Sequence, residues 1–253
     1  MFHQLLRTLE VNLPWLLELK FKLFRVIRNK LSIPFEQDFR GLSHLPVPDG
    51  ALFLDVGANR GQSTDAILMQ HKNIKIQLFE PNNLLCNALN NLFANKNNLV
   101  ICNFGLSDQA SETTLYVPFY KKWMFDGLAS LEREEAANWL KDRLYFYKEK
   151  YLTVLEVACK VRTLDELDLS PFFIKIDVQG HEYSALKGSE NTLKKHTPVL
   201  LIEAPDEKIT GYLASLGYQF YAYEDGHFKP SVKGGLNTFF MTADKWALVS
   251  NSK

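Results

Sequence analysis

Apolar runs separated by polar turns recur along the chain from Ala51 to Thr242, and their spacing predicts alternating strands and helices. Ala51 to Val56, Ile74 to Phe79 and Asn98 to Asn103 read as the first three strands, with helical stretches at Ser63 to Gln70 and Asn82 to Asn95. An almost wholly apolar stretch from Phe172 ends at Asp177 and suits a central parallel strand. A helix beginning at Glu182 to Leu186, a strand at Pro198 to Ile202 and a helix near Asp206 to Leu216 follow. Strands at Tyr218 to Tyr223 and Asn237 to Thr242 complete the pattern. Such alternation argues for an α/β domain with a mostly parallel sheet and helices on both faces.

Two regions depart from this rhythm. Residues 1 to about 30 read as helical, with Pro14 kinking or restarting the helix. Leu16, Leu19, Leu23, Val26 and Ile27 recur at helical spacing, and Arg7, Lys20, Lys22, Arg25, Arg28 and Lys30 outnumber Glu10 and Glu18. This basic amphipathic segment has two readings: packing on the main domain or another subunit, and peripheral attachment to an anionic membrane surface. Ser32 to Gly50, with Pro34, Pro46 and Pro48, reads as a linker, so residues 1–48 are expected as an extension and 49–253 as the main domain. Within that domain, residues 112–164 interrupt the alternation. Strands are expected at Thr113 to Val117 and Thr153 to Val161, and a helix at Glu132 to Lys150. Eight aromatic residues lie between Tyr116 and Tyr151, which suits either an acceptor-binding lid or a small satellite core.

Composition narrows the function classes. The chain has 253 residues, 46% hydrophobic and 23% charged, enough to bury a substantial core. Its formal net charge of zero gives no sign of a nucleic-acid partner. Cys86, Cys102 and Cys159 lack metal-type spacing and fall in apolar stretches, as expected for reduced thiols in the cytosol. Charges within the first thirty residues break every apolar run well short of a membrane span or a signal peptide. The expected location is therefore cytoplasmic, with residues 1–30 able to touch the inner face of a membrane.

Candidate chemistry concentrates at Phe53-Leu-Asp-Val-Gly-Ala-Asn-Arg-Gly61. A buried strand feeding a glycine turn and a helix N-terminus makes a nucleotide-type site. The spacing D-x-G-x-x-x-G lacks the paired glycines that a pyrophosphate requires, which disfavours a nicotinamide dehydrogenase. S-adenosylmethionine (SAM) has no phosphate, and its ammonium would welcome a carboxylate such as Asp55. Gly57, Asn59 and Gly61 belong to the same expected cofactor turn. Glu80, 19 residues beyond Gly61 at the end of the second strand, is placed to accept hydrogen bonds from ribose hydroxyls. Asp108, in a polar loop after the third strand, is a candidate for the adenine amino group, with Leu106 or Phe104 against the ring.

These pieces, in order, resemble the FkbM family of SAM-dependent methyltransferases. The resemblance rests on the glycine turn, Phe79-Glu-Pro81, Gly105-Leu-Ser-Asp108, Val161-Arg-Thr-Leu-Asp-Glu-Leu167 and Ile174-Lys-Ile-Asp-Val-Gln-Gly-His-Glu182. Leu186-Lys-Gly188 and Leu201-Ile-Glu203 also fit, and residues 1–45 lie outside the match. Gln179 stands where the family usually has an acid, and His181 where a small or aromatic residue is common. The resemblance implies a class I, Rossmann-like, seven-stranded sheet ending in an antiparallel strand. It also implies SAM as cofactor and O-methylation of a sugar, surface glycan or natural product.

An acceptor hydroxyl is too weakly acidic to lose its proton unaided, so a base within reach would help. His181 is the expected catalytic base, with Asp177 positioning the acceptor or the methionine end of SAM; Asp177 as the base itself is the alternative. Asp177, Glu203 and His181 together form a further, weaker option, a divalent cation site. A SAM-binding fold with an interaction role instead of catalysis is the competing function.

Overall fold

Burial on both faces explains the central strands. In β1 (Leu52–Val56), Phe53 joins a cluster on one face while Leu54 and Val56 join a cluster on the other. The period of two thus serves both faces, and the strand reads as a continuous apolar run. A computed structural model describes residues 14–141 and 143–251.

In chain order, α1 (Pro14–Leu31) and a 3-10 helix (Gln37–His44) precede β1. Then come α2 (Gln62–Gln70), β2 (Lys75–Phe79), α3 (Asn83–Leu92) and β3 (Leu99–Cys102). The middle of the chain holds β4 (Gly105–Leu106), β5 (Ser111–Tyr120), β6 (Trp123–Met124), α4 (Arg133–Asn138) and β7 (Leu152–Arg162). Next are β8 (Pro171–Ile176), α5 (Glu182–Lys187), α6 (Glu190–His196), β9 (Val199–Glu203) and α7 (Glu207–Ser215). Finally come β10 (Tyr218–Glu224), β11 (His227–Pro230), β12 (Asn237–Thr242) and α8 (Ala243–Ser250).

The main sheet has eight strands in the order β11-β10-β12-β9-β8-β1-β2-β3. Strands β3, β2, β1, β8 and β9 pair in parallel, whereas β12 is antiparallel to both β9 and β10. Helices α2, α3 and α8 cover one face with the 3-10 helix, and α5, α6 and α7 cover the other. The expected class is therefore present with one strand more than the seven expected. The extra strand, β11, returns through Asp225-Gly226, both at positive φ (54° and 83°), as in a type I′ hairpin. That dipeptide was the overlooked signal.

Two other expectations change. The helix expected at Glu132 to Lys150 is reduced to Arg133–Asn138. Beyond it, Leu140 and Leu144 bury themselves against Tyr120, and Phe146 takes a left-handed φ of 55° that ends any helix. The stretch 32–50 is not a loose linker. Phe39, Leu42 and Leu45 recur every third residue, the period of a 3-10 helix, and all enter the core. Asn237 Nδ2 also donates to Glu36 (2.7 Å) and Asp38 (3.1 Å), tying the segment to β12. For the N-terminal helix, residues 1–13 lie outside the described part, and α1 runs from Pro14 onward. The strands expected at Thr113 to Val117 and Thr153 to Val161 are present as β5 and β7, which pair antiparallel along their length within a second sheet of order β4-β7-β5-β6.

Candidate active site

The carboxyl ends of β1, β2 and β8 open into a crevice of about 480 Å³, roofed by residues of the 112–164 segment. An open parallel sheet binds ligands at this edge. Gly57 turns the chain at φ 79°, and a Cβ there would stand 1.8 Å from the Asp177 carbonyl oxygen. Only glycine lets the loops after β1 and β8 approach this closely. Gly61 (φ 79°) caps α2, and a Cβ there would lie 2.8 Å from the Phe93 ring.

Glu80 is buried and lines the crevice. Its two oxygens accept the amides of Asn59 and Asn82, each at 2.9 Å, so it pins the glycine turn to β2. Burial raises its pKa to about 7 against the pull of those two amides. Each oxygen keeps a lone pair for a ligand hydroxyl. Asn59 lines the same space at φ 47°, and its buried Oδ1 has no hydrogen-bond partner among the described residues. An unpartnered acceptor on a residue that lines the crevice suits a cationic donor.

Asp55 is placed differently from expectation. It is fully buried and does not line the crevice. One oxygen accepts Ser63 Oγ (2.7 Å) and Thr64 Oγ1 (2.5 Å), which locks the first turn of α2, and burial raises its pKa despite Lys175. Its other oxygen, Oδ1, is buried without a hydrogen-bond partner among the described residues, so Asp55 holds the first turn of α2 from behind the crevice and does not line it. Asp108 also departs from its expected place. It is exposed, lies outside the crevice lining, and accepts Ser107 Oγ at 3.0 Å. Leu106, by contrast, is buried and lines the crevice as expected.

The other wall is the loop after β8, which carries Asp177, Gln179 and His181. Glu182 fixes this loop by accepting the amides of Val178 (3.1 Å) and Gly180 (3.2 Å). Burial would raise the Asp177 carboxyl, yet Lys175 (Nζ–Oδ2 2.9 Å), a hydrogen bond with Glu203 and Gln179 (Nε2–Oδ1 2.9 Å) together hold it below its ordinary value. The shared hydrogen bond with Asp177, and then burial, raise Glu203 instead, so this carboxyl keeps the pair's proton. Among the described residues no group of three His, Cys, Asp or Glu is arranged for a metal ion, and Lys175 occupies the space beside the pair.

His181 Nε2 lies 2.9 Å from Ser107 Oγ. The Ser107 hydroxyl has one proton, and giving it to Asp108 leaves Ser107 to accept Nε2–H from the ring. That network assigns the lone pair to Nδ1. Burial lowers the His181 pKa, outweighing Asp108 and Glu182, so the ring is neutral at pH 7. Gly188 permits the approach, since a Cβ there would lie 1.9 Å from the Ser107 carbonyl oxygen.

The sequence reading missed Lys175, Ser107 and Asp126 as site residues. Lys175 had a signal: a lone cation inside the apolar strand Pro171–Ile176. Asp126 lines the crevice and accepts Arg60 at 2.9 Å through each oxygen, a contact that only the tertiary fold creates. Glu80, Asp126, Glu132, Glu135 and Asp177 line the crevice, and no Lys or Arg does so among the described residues. A cationic ligand is favoured there and a polyphosphate disfavoured.

The sheet order, the glycine turn at its carboxyl edge and the acid at the end of β2 define a class I, Rossmann-like methyltransferase fold. A family model, the methyltransferase FkbM domain, matches residues 55–220, and the chain belongs to that family. The methyltransferase FkbM of Methylobacillus flagellatus is similar in structure, with a TM-score of 0.49 and 19% identity, covering 79% of this chain and 47% of that one. This chain thus spans about half of that protein's length. A SAM-dependent O-methyltransferase of Thermotoga maritima aligns with a TM-score of 0.41 and 9% identity over 82% of this chain and 65% of that one. M. jannaschii TYW2, solved in complex with AdoMet, aligns at 0.37 and 11% over 82% and 78%. A comparison with curated proteins returns no match.

Proposed function

We propose that the protein is a SAM-dependent O-methyltransferase acting on a hydroxyl of a sugar, a surface glycan or a natural product. The observation that carries this reading is His181, held through Ser107 by Asp108, at the wall of an acid-lined crevice, with burial lowering its pKa. SAM fits the residues present: Glu80 for the ribose hydroxyls, Asn59 Oδ1 for the ammonium and Leu106 for the adenine face. When bound, it supplies an electrophilic methyl group on a sulfonium.

The chain's own part is positioning and proton removal. His181 Nδ1 takes the acceptor's hydroxyl proton as the oxygen attacks, and the resulting imidazolium keeps its Nε2–H on Ser107, with Asp108 beyond it. Asp177 is a poorer base, because its pKa is held low and its oxygens already accept Lys175 and Gln179. It serves to position the acceptor or the methionine end of SAM. The 112–164 segment acts as the lid over the acceptor, through Thr113, Leu115, Ser130 and Leu131.

The test is incubation with methyl-labelled SAM and a panel of glycans, free glycosides and amine-bearing analogues, read by label transfer and mass. Transfer to hydroxyl acceptors, lost with His181→Ala, is expected. Transfer to amines alone would refute O-methylation. SAM binding without transfer to any member would favour the interaction role.

A further inference from the structure

Helix α1 has two apolar faces, and the described residues cover only one of them. The inward face carries Leu17, Phe21 and Arg25 at four-residue spacing, with Arg28 following. Leu17 is buried, Phe21 stacks on Trp123 at 6.0 Å, and Arg25 is bidentate to Asp65, with Nη2–Oδ1 at 2.8 Å. At 3.6 residues per turn, Leu19, Leu23, Val26 and Ile27 point the opposite way. They are 54%, 54%, 52% and 42% exposed, and Leu31 is 62% exposed at the helix end. A helix apolar on both sides needs something to cover its outer side.

The charges identify the cover. On the helical wheel Lys30 lies within the outward stripe, while Lys20 and Lys22 flank its two borders. The single acid of the helix, Glu18, lies away from the centre of that stripe. An apolar stripe framed by lysines and free of acids matches the boundary between acyl chains and anionic headgroups, where lysine stems lie along apolar surface and their heads reach phosphate. A second copy of the chain fits poorly, since a two-fold contact through this face would bring lysine against lysine with no acid to compensate.

We propose that the outward face of α1 docks the protein peripherally on an anionic membrane surface. No helix among the described residues is long and apolar enough to cross a membrane, so the contact is interfacial.

Flotation of the 253-residue chain with vesicles of phosphatidylcholine alone, or mixed with phosphatidylglycerol, tests this. Binding to the mixed vesicles, weakened by salt and weak on phosphatidylcholine alone, is expected. Leu23→Ser/Val26→Ser should abolish it, and Lys22→Ala/Lys30→Ala should weaken it about 30-fold at low salt. All four side chains are exposed, so circular dichroism and SAM binding should match the parent. No flotation with mixed vesicles at low salt would overturn the proposal. So would equal binding to both vesicle types, or a dimer in light scattering that Leu23→Ser/Val26→Ser dissociates.

Discussion

Glu80 makes the sharpest quantitative test, because one carboxylate joins the glycine turn, the ligand and the pH dependence. Its pKa, raised from 4.5 to about 7, means that ionising it in the free protein costs about 3 kcal/mol more than in the unfolded chain. The folded state holds the proton more tightly, so stability of the free protein falls as pH rises from about 4.5 to about 7. Ribose hydroxyls donate best to the ionised form, so SAM affinity should rise about tenfold between pH 6 and 8. Glu80→Gln removes both trends. Its amide nitrogen meets one of the two backbone amides that the carboxylate accepted, which leaves that donor unpaired at about 1–3 kcal/mol. Glu80→Ala loses two charge-assisted ligand bonds, a fall in affinity of about 100-fold or more. Calorimetric titration of SAM at pH 6, 7 and 8, paired with thermal melts of the free proteins, reads each effect separately. Subtracting the Glu80→Gln melts removes the parallel contributions of Glu203, Asp55 and Glu36, whose pKa values are also raised. Folded Glu80→Ala binding SAM as tightly as the parent, or parental affinity flat from pH 6 to 8, would refute the ribose assignment.

His181→Ala should cut methyl transfer by about 10²–10⁴-fold while leaving SAM affinity within about twofold, read by label transfer and calorimetry. With the parent at saturating SAM, transfer should rise with pH through a point below 6.5, since burial lowers the His181 pKa, and then level off. Asp177→Asn removes the 2.9 Å ion pair of the buried Lys175 ammonium while Asp55 and Glu203 still face that cation, so melting should show a loss of at most about 3 kcal/mol even before SAM is added. Gly57→Ala places a Cβ against the Asp177 carbonyl oxygen at a positive φ, and should destabilise by about 3 kcal/mol or more, seen as little soluble protein or a much lower melting temperature.

The main sheet was legible because its strands obey local rules. Phe53 against Leu54 and Val56, or Phe173 against Ile174, show buried runs bounded by glycine and polar turns. Gly57, Gly61 and Glu80 were legible for the same reason, since backbone geometry at a strand end depends on the residue itself. What escaped depends on partners distant in sequence. Asp55 has the same type and spacing whether it faces a ligand or Ser63 and Thr64, and only the placement of α2 decides. Asp108 reads as a ligand acid until Ser107 is seen to hold it and pass its orientation to His181, 74 residues away. The segment 132–150 reads as helix from composition, but burying Leu140 and Leu144 against Tyr120 overrides that weak preference.

Arg60 shows how the parts become one site. It occupies an unconstrained position of D-x-G-x-x-x-G, yet its guanidinium lies 5.3 Å from the Phe21 ring of α1 and 5.0 Å from the Trp123 ring of β6. It also pairs with both oxygens of Asp126 at 2.9 Å. The turn that carries Asn59 is thereby fixed at once to the N-terminal helix and to the roof of the crevice. A planar, five-donor cation can stack and bind a carboxylate through two bonds together, whereas lysine brings only a point charge. Shape as well as charge therefore sets the position of the roof over the glycine turn. The same contact makes α1 part of the crevice wall's support, so a surface that holds α1 also sets how the crevice faces that surface.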